Sequence, residues 1–381
     1  MHPDSANKNA EIQGLKEKVD AGATHLISQL FFDNNDYYNF LYRVRQAGIT
    51  VPIEAGIMPV TNRKQIERMV SLCGASLPKK FVRIMHRYGD DPVAMQDAGI
   101  EVAVFNPVHR YVNRLYFNYR DHRKIAVIDG DIAYTGGANL ADEYANLIVR
   151  FGYWKDCGIR LEGEGAWGLT RQFMYLWLRM GGELRESWDS YRPRTAPKGG
   201  EFCQPLVDGP DNNPVNTAED TFQQLISNAN RYIWITTPSL AIDEPMIRTL
   251  CIAADSGVDV RLMLPGIPDH KFAYMVALSY FGELLEHDVK IFTYTPGLLH
   301  AKSVVADGDV GFVGSVNMDY RSFQLHFECG VLFSGSAVTA VQEDMDRVMA
   351  QSERVTLQGW RERKWYVRLL GTVLRPFAMW M

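Results

Sequence analysis

Apolar and polar positions alternate along the front of the chain in two periods, 3.6 and 2. Residues 10–21 form an amphipathic helical pattern ended by Gly22, and 25–32 a mostly apolar strand. Residues 36–47 read as a helix closed by Gly48, 50–55 as a second strand, and 61–72 as a third helix capped by Thr61 or Asn62. Strands alternating with helices predict parallel pairing in an α/β unit. From about Asp91 the texture changes: 99–105 is a predicted strand, 118–129 leads into a hairpin, and 167–180 is helical. Residues 187–219 are polar and carry Pro193, Pro197, Pro205, Pro210 and Pro214, the pattern of a connector between two compact halves. Beyond it the pattern predicts helices at 220–228, 245–254 and 275–285, strands at 232–237 and 258–264, and a hairpin over 300–312.

Composition narrows the function classes. Of 381 residues, 46% are hydrophobic and 22% charged, so the chain buries a core and is neither disordered nor fibrous. A net charge of −5 provides no global positive field, so nucleic acid is not an expected partner. Cys73, Cys157, Cys203, Cys251 and Cys329 are odd in number, widely spaced and without a C-x-x-C pair. A reducing compartment is expected, with neither a disulfide framework nor a zinc knuckle. The opening residues are polar, unlike a signal peptide. No uncharged apolar run reaches the roughly 18–20 residues of a membrane span. The nearest, 167–180, carries Arg171 and Arg179, so no transmembrane helix is expected.

An internal repeat carries the chemistry. HRKIAVIDGDIAYTGGAN begins at His122 and HAKSVVADGDVGFVGSVN at His300. In both, Lys follows His by two, Asp by seven, Gly by eight and fourteen, and Asn by seventeen. Two copies of one such pattern in matching register do not arise by composition alone. Period-two alternation puts His122 with Lys124, and His300 with Lys302, on one strand face. Asp129-Gly130-Asp131 and Asp307-Gly308-Asp309 signal tight hairpins. The small-residue turns Gly136-Gly137 and Gly314-Ser315 are expected to bring backbone N–H groups to an anion, with Asn139 and Asn317 adding amide donors. Each half thus offers an imidazole, an ammonium and an amide, half of a phosphate site. Facing halves would let one imidazole attack phosphorus while the other protonates the leaving oxygen. The lysines and asparagines would stabilise charge on the remaining oxygens. Neither a metal nor a cofactor is required by this scheme, and no H-E-x-x-H is present.

These paired H-x-K-x-x-x-x-D motifs with a downstream Asn resemble the phospholipase D superfamily. The flanking segments NYRDHRKIAVIDG, LPGIPDHK, PGLLHAKSVVADG and NMDYRSFQLHFE resemble bacterial cardiolipin synthases, over about residues 92–381. The resemblance implies a fold of two α-β-α sandwich halves related by a pseudo-twofold, the first truncated at its N-terminal side. It implies a phosphatidyl-histidine intermediate with His122 as nucleophile and His300 as acid and base. It also implies an acidic partner for each imidazole, at the matching positions Glu328 and Asp156. Asp129 and Asp307 are expected to be scaffold residues. The implied reaction joins two phosphatidylglycerol molecules, releasing glycerol, at the cytoplasmic face of the membrane, with anionic phospholipid as partner. The alternatives are a phosphodiesterase or nuclease of the same superfamily, or an inactive chimera.

The front end looks different. HPDSANKNAEIQGLKEKVDAGATHLISQLFFDNNDYYNFLYRVRQAGITVPIEAGIMPVTNRKQIERM resembles an internal stretch of methylenetetrahydrofolate reductase, a flavin-bearing β/α barrel. Gln29 matches a folate-contacting position, but the strands that hold flavin have no counterpart, so reductase chemistry is not expected. The expected division is a reductase-like partial β/α-barrel fragment at 1–83, a first half at 84–205 and a second at 206–381. The strand–helix–strand of residues 24–60 also resembles in pattern that of residues 232–268. His86, His109, His287 and His326 read as packing or surface residues, and His270 as a headgroup or capping residue. The tail from Trp360 to Met381, basic and aromatic, suits either a membrane interface or packing on the domain.

Overall fold

The structure is a computed structural model that describes residues 8–23, 26–28, 34–51, 53–54, 103, 105, 119–194, 196, 201–210, 215–267, 271–363, 371 and 373–376. The chain divides into two compact units, Met1–Val102 and Ala103–Met381.

The first unit contains α1 (Lys8–Asp20), β1 (Leu26–Ile27), α2 (Asn34–Gln46) and β2 (Ile53–Glu54). The two strands pair in parallel, Leu26 with Ile53 and Ile27 with Glu54, as a strand–helix–strand pattern predicts. Phe40, Val44 and Ile49 form its buried centre, with Leu15 and Val19 of α1 against them. Gly22 (φ +109) and Gly48 (φ +81) end the two helices in the left-handed region expected of helix-closing glycines. The helix expected at 61–72, Gln29, most of the strand at 99–105, His86 and His109 lie outside the described residues.

The second unit begins with β3 (Arg120–Asp121), β4 (Ile125–Ile128), β5 (Ile132–Gly136), β6 (Gly158–Glu162) and α3 (Glu164–Arg179). It continues with β7 (Cys203–Asp208), α4 (Thr217–Asn228), β8 (Tyr232–Thr236), β9 (Leu240–Ala241), α5 (Glu244–Asp255), β10 (Asp259–Pro265) and α6 (Lys271–Glu286). Then come β11 (Lys290–Tyr294), β12 (Ser303–Ala306), β13 (Val310–Gly314), β14 (Met318–Asp319) and β15 (His326–Phe333). The series ends with α7 (Ser336–Ala350), β16 (Ser352–Val355) and α8 (Leu357–Arg361).

A mixed sheet runs β16-β11-β10-β8-β12-β13-β15, with both β7 and β3 also pairing β15. Its strands alternate their side chains between two cores, as period two requires. Ile233, Ile235, Val304, Ala306 and Phe312 face one core with α4, α5 and α6, where Phe222, Leu250 and Phe281 are buried. Trp234, Val305 and Val313 face the other, with Val338 and Met345 of α7. Each fully buried large side chain contributes roughly 1.5–3 kcal/mol, so this two-faced burial holds the unit together. The first half's β4-β5-β6 sheet joins the second of these cores through Ala133 and Leu161, and α3 through Leu169, so the two halves share one interior.

The segment expected to be a bare connector is partly built in. Cys203–Asp208 is a full strand, antiparallel to β15, and the next helix starts at Thr217. Pro205 hid it: a proline forfeits one ladder donor, which an outer strand tolerates. Both D-G hairpins form, with positive φ at Asp129 (53°), Gly130 (74°), Asp307 (54°) and Gly308 (76°), and the Asp131 and Asp309 N–H groups close the turns on the Ile128 and Ala306 carbonyls. Helix α3 buries Ala166, Leu169, Thr170 and Met174 and leaves Phe173, Tyr175 and Leu178 exposed. No helix among the described residues is long and apolar enough to cross a membrane. The described part of the tail packs on α6: Trp360 Nε1 donates to the Leu278 carbonyl at 3.2 Å, and Arg375 lies over the Tyr280 ring and pairs with Glu283.

Candidate active site

Each motif enters its hairpin from an extended segment, and each segment is held by the other half. The His122 N–H donates to the Phe327 carbonyl at 2.9 Å, and the His300 N–H to the Lys155 carbonyl at 2.7 Å. Parallel pairing of Asp121 with Phe327 is mirrored by that of Leu299 with Lys155. This pseudo-twofold exchange sets up the acids. Glu328, one residue past Phe327, accepts from His122 Nδ1 at 2.9 Å, and Asp156, one past Lys155, accepts from His300 Nδ1 at 2.7 Å. The implied pairs are therefore formed, and each crosses between halves.

Glu328 has no exposed surface, and Ser315 Oγ (2.5 Å) and Ser322 Oγ (2.7 Å) donate to it besides His122. Burial works against its charge, but His122 first, and then the neighbouring His326 and Ser315, hold it ionised, with a pKa of about 2. Asp156 Oδ1 accepts the Cys157 N–H at 2.8 Å, which orients the carboxylate towards His300.

The lysines converge by a route that strand alternation did not describe. His122, Lys124, His300 and Lys302 precede the regular ladder, and each ammonium folds back onto its own motif. Lys124 Nζ donates to the His122 carbonyl and Lys302 Nζ to that of His300, both at 2.5 Å. Lys302 Nζ is also 2.8 and 3.1 Å from the two nitrogens of the His300 ring. Because Nδ1 already donates to Asp156, the ammonium there acts as a close charge on the ring. Burial lowers Lys124 to about 8 and Lys302 to about 7. Burial and then the Lys302 charge lower His300 to about 4, against the pull of Asp156, so this imidazole is neutral at pH 7 with Nδ1–H fixed by its acid.

The turn residues do something other than expected. The Gly137 N–H is spent on the Cys157 carbonyl (3.2 Å) and the Ser315 N–H on that of Cys329 (2.8 Å), so neither amide is free for an anion. Antiparallel pairing within each half consumes them. Gly137 matters sterically instead: a Cβ there would overlap Asp156 Oδ1 and lie 2.9 Å from the His300 carbonyl oxygen. Gly136 and Gly314 pair across their ladders with Gly158 and Gly330. Asn139 Nδ2 donates to the Tyr144 hydroxyl at 2.7 Å, and the buried Asn317 Oδ1 has no hydrogen-bond partner among the described residues. Asp307 accepts the N–H groups of Asn230, Arg231 and Tyr232 at 2.7–2.9 Å, tying its hairpin to β8. Asp129 holds the equivalent turn position.

Several neighbours carry no sequence signal of their own. Tyr144 meets the His300 ring edge-on at 5.0 Å and Trp154 at 5.9 Å. Trp154 is fixed by Asn146, whose amide bonds both its N–H (2.7 Å) and its carbonyl (3.0 Å). His326 occupies on the other side the place of Trp154, its ring 5.4 Å from that of His122. The expectation of a packing or surface role for His326 thus gives way to a place at the site. Its position two residues before Glu328, as Trp154 stands before Asp156, was the available signal. His287 pairs with Asp255 away from these residues, and His270 lies outside the described residues.

Two crossed imidazole–carboxylate pairs with two buried ammonium groups, on an α-β-α sheet, define a phospholipase D-like unit. Residues 222–349 match the family model described as cardiolipin synthase, PLD-like domain. Residues 1–114 match the methylenetetrahydrofolate reductase model, a longer stretch than the 83 residues expected. A Streptococcus mutans protein of uncharacterised function is 38% identical over 74% of this chain and 61% of its own length. Cardiolipin synthase of Halalkalibacterium halodurans is 36% identical over 74% and 56%, and the major cardiolipin synthase of Bacillus subtilis 34% over 74% and 58%. The chain thus spans roughly three-fifths of the length of these relatives. Phosphatidylserine synthase of Haemophilus influenzae shares the fold, with a TM-score of 0.56 at 13% identity over 98% of this chain and 93% of that one.

Proposed function

We propose that the chain is a phosphatidyltransferase of the cardiolipin synthase kind, converting two phosphatidylglycerol molecules to cardiolipin and glycerol. The observation that carries this reading is the crossed geometry, His122 on Glu328 and His300 on Asp156. In the first displacement an imidazole Nε2 attacks phosphorus, and the leaving glycerol oxygen takes a proton from the second imidazole. In the next, the hydroxyl of another phosphatidylglycerol gives its proton to that imidazole and displaces the histidine. Lys124, Lys302, Asn139 and Asn317 would bear the charge on the non-bridging oxygens. The entering phosphodiester would draw Lys302 away from His300, removing one cause of that ring's low pKa and letting it hold the proton it must donate. In this assignment His122 is the nucleophile.

The reverse assignment has an observation in its favour: His300 rests neutral, as a nucleophile must, while His122 faces a firmly ionised Glu328. Peptide mapping of a trapped phospho-adduct separates the two, with the adduct on His122 in the first and on His300 in the second.

Peripheral attachment at the cytoplasmic membrane face, where phosphatidylglycerol is presented, completes the reading. The test is radiolabelled phosphatidylglycerol in vesicles. Cardiolipin is the expected product. Phosphatidic acid alone would indicate hydrolysis, cleavage of added DNA a nuclease, and no turnover with no adduct an inactive chain.

A further inference from the structure

We propose that His122, His326 and Glu328 form a binding site for a borderline-soft divalent transition ion of the zinc type, which switches the His122 imidazole off. One ligand atom from each of the three lies within 4.8 Å of the others. Glu328 Oε1 is 2.9 Å from His122 Nδ1 and 3.6 Å from His326 Nδ1. Zinc bonds of about 2.0–2.1 Å at tetrahedral angles put donor atoms about 3.3 Å apart, so the observed spacings bracket the required one. The third pair, His122 with His326, lies within 4.8 Å, so binding would require the two rings to turn towards the ion.

A second observation points the same way. His326 Nδ1 is buried and has no hydrogen-bond partner among the described residues; its contact with Glu328 Oε1 is a long one, at 3.6 Å. A buried nitrogen left unpaired costs free energy that a bound ion removes. The pseudo-twofold supplies a contrast: Trp154 stands in the equivalent place beside His300 and offers no lone pair, so among the described residues the chelating group is on the His122 side. The donors set the ion class. Two imidazoles and one carboxylate suit zinc or cobalt and not magnesium or calcium, which take oxygen ligands. Lys124, bonded to the His122 carbonyl, opposes the ion's charge, and the fully buried carboxylate offsets it.

Binding has a chemical consequence. In the neutral tautomer whose Nδ1–H donates to Glu328, Nε2 of His122 carries the lone pair. With the metal on Nδ1, the ring proton moves to Nε2, the atom that must attack phosphorus or take the incoming proton. The number of protons on the ring is unchanged, but the lone pair is now on the metal. The ion therefore inhibits, and chelation restores activity. This inhibition rests on the proposed transferase reading; the binding itself does not.

The test titrates Zn²⁺ and Co²⁺ into the full chain, freed of metal beforehand, by calorimetry and by the visible absorbance of tetrahedral cobalt. One ion per chain is expected, with no binding of Mg²⁺ or Ca²⁺. His326→Asn should weaken binding at least about tenfold while circular dichroism and melting temperature in chelator stay those of the parent. Equal affinity in parent and His326→Asn, or cobalt bands of thiolate ligation, would overturn the site. Tight, His326-dependent binding with undiminished vesicle turnover would keep the site and refute the inhibition. An absence of turnover in metal-free protein would count against the transferase reading alone.

Discussion

Glu328 is wholly buried yet ionised because three donors from different parts of the chain close around it: His122 Nδ1, Ser315 Oγ and Ser322 Oγ. Glu328→Gln keeps the volume and removes the charge. Its expected cost is about 10²–10⁴ in turnover, through the loss of its partner imidazole's function, and a lower melting temperature, since breaking a buried pair costs about 3–5 kcal/mol. Vesicle turnover and thermal unfolding measure the two separately. Lys302 makes the opposite prediction for stability. It is fully buried, and burial alone accounts for most of the lowering of its pKa to about 7. Lys302→Met should leave the melting temperature unchanged or raise it, because no desolvated ammonium remains. Turnover should fall about 10²–10³-fold, the cost of losing one charge-stabilising donor.

At the scale of elements, the hairpins place the motifs and the crossing strands complete them. Gly137 sits where the turn after β5 passes Asp156 and the His300 backbone, with no room for a Cβ. Gly137→Ala is expected to separate His300 from Asp156 and lower turnover more than about tenfold, a near-attack geometry being lost. The imidazole resonances of His300 in ¹⁵N spectra should shift while the fold persists; unchanged spectra and activity would count against this role. What could be read from the chain alone divides along the same line. The hairpins, the paired motifs and the strand–helix alternation are local, written within about twenty residues, and were legible. The crossed acids were not readable from spacing, since His122 and Glu328 are 206 positions apart and His300 and Asp156 are 144. They came only through resemblance. Strand β7 was masked by Pro205, and His326 looked like an isolated histidine because its neighbour His122 arrives from the other half. The turn amides were misjudged because the carbonyls that consume them, Cys157 for Gly137 and Cys329 for Ser315, lie at the next strand of each ladder, beyond the motif itself.

For the whole unit, the buried basic groups set a pH dependence of stability. Lys302 titrates near 7 folded against 10.5 unfolded, and Lys124 near 8. Between these limits the unfolded chain binds more protons, so stability rises with pH across 7–10.5 for Lys302 and 8–10.5 for Lys124. His300, lowered from 6.5 to about 4, adds stability as pH rises through 4–6.5. Glu328, lowered from 4.5 to about 2, adds stability that is complete above 4.5 and lost as pH falls towards 2. All four slopes have one sign. Thermal unfolding at a series of pH values should therefore show a smaller rise between 7 and 10.5 for Lys302→Met than for the parent. Parallel curves would show that Lys302 is not desolvated as described. The reductase-like front carries its own expectation: if residues 1–114 hold no flavin site, as the resemblance implies, purified protein should show no flavin absorbance.

Each imidazole borrows its acid from the opposite copy, through His122 with Glu328 and His300 with Asp156. A lone ancestral repeat folded this way would have held an acid with nothing to orient and a histidine with nothing behind it. Such a repeat could have worked only by self-association; carrying both copies in one polypeptide makes the crossed pairs independent of concentration. The two copies are not identical, since Trp154 and His326 stand at matching places.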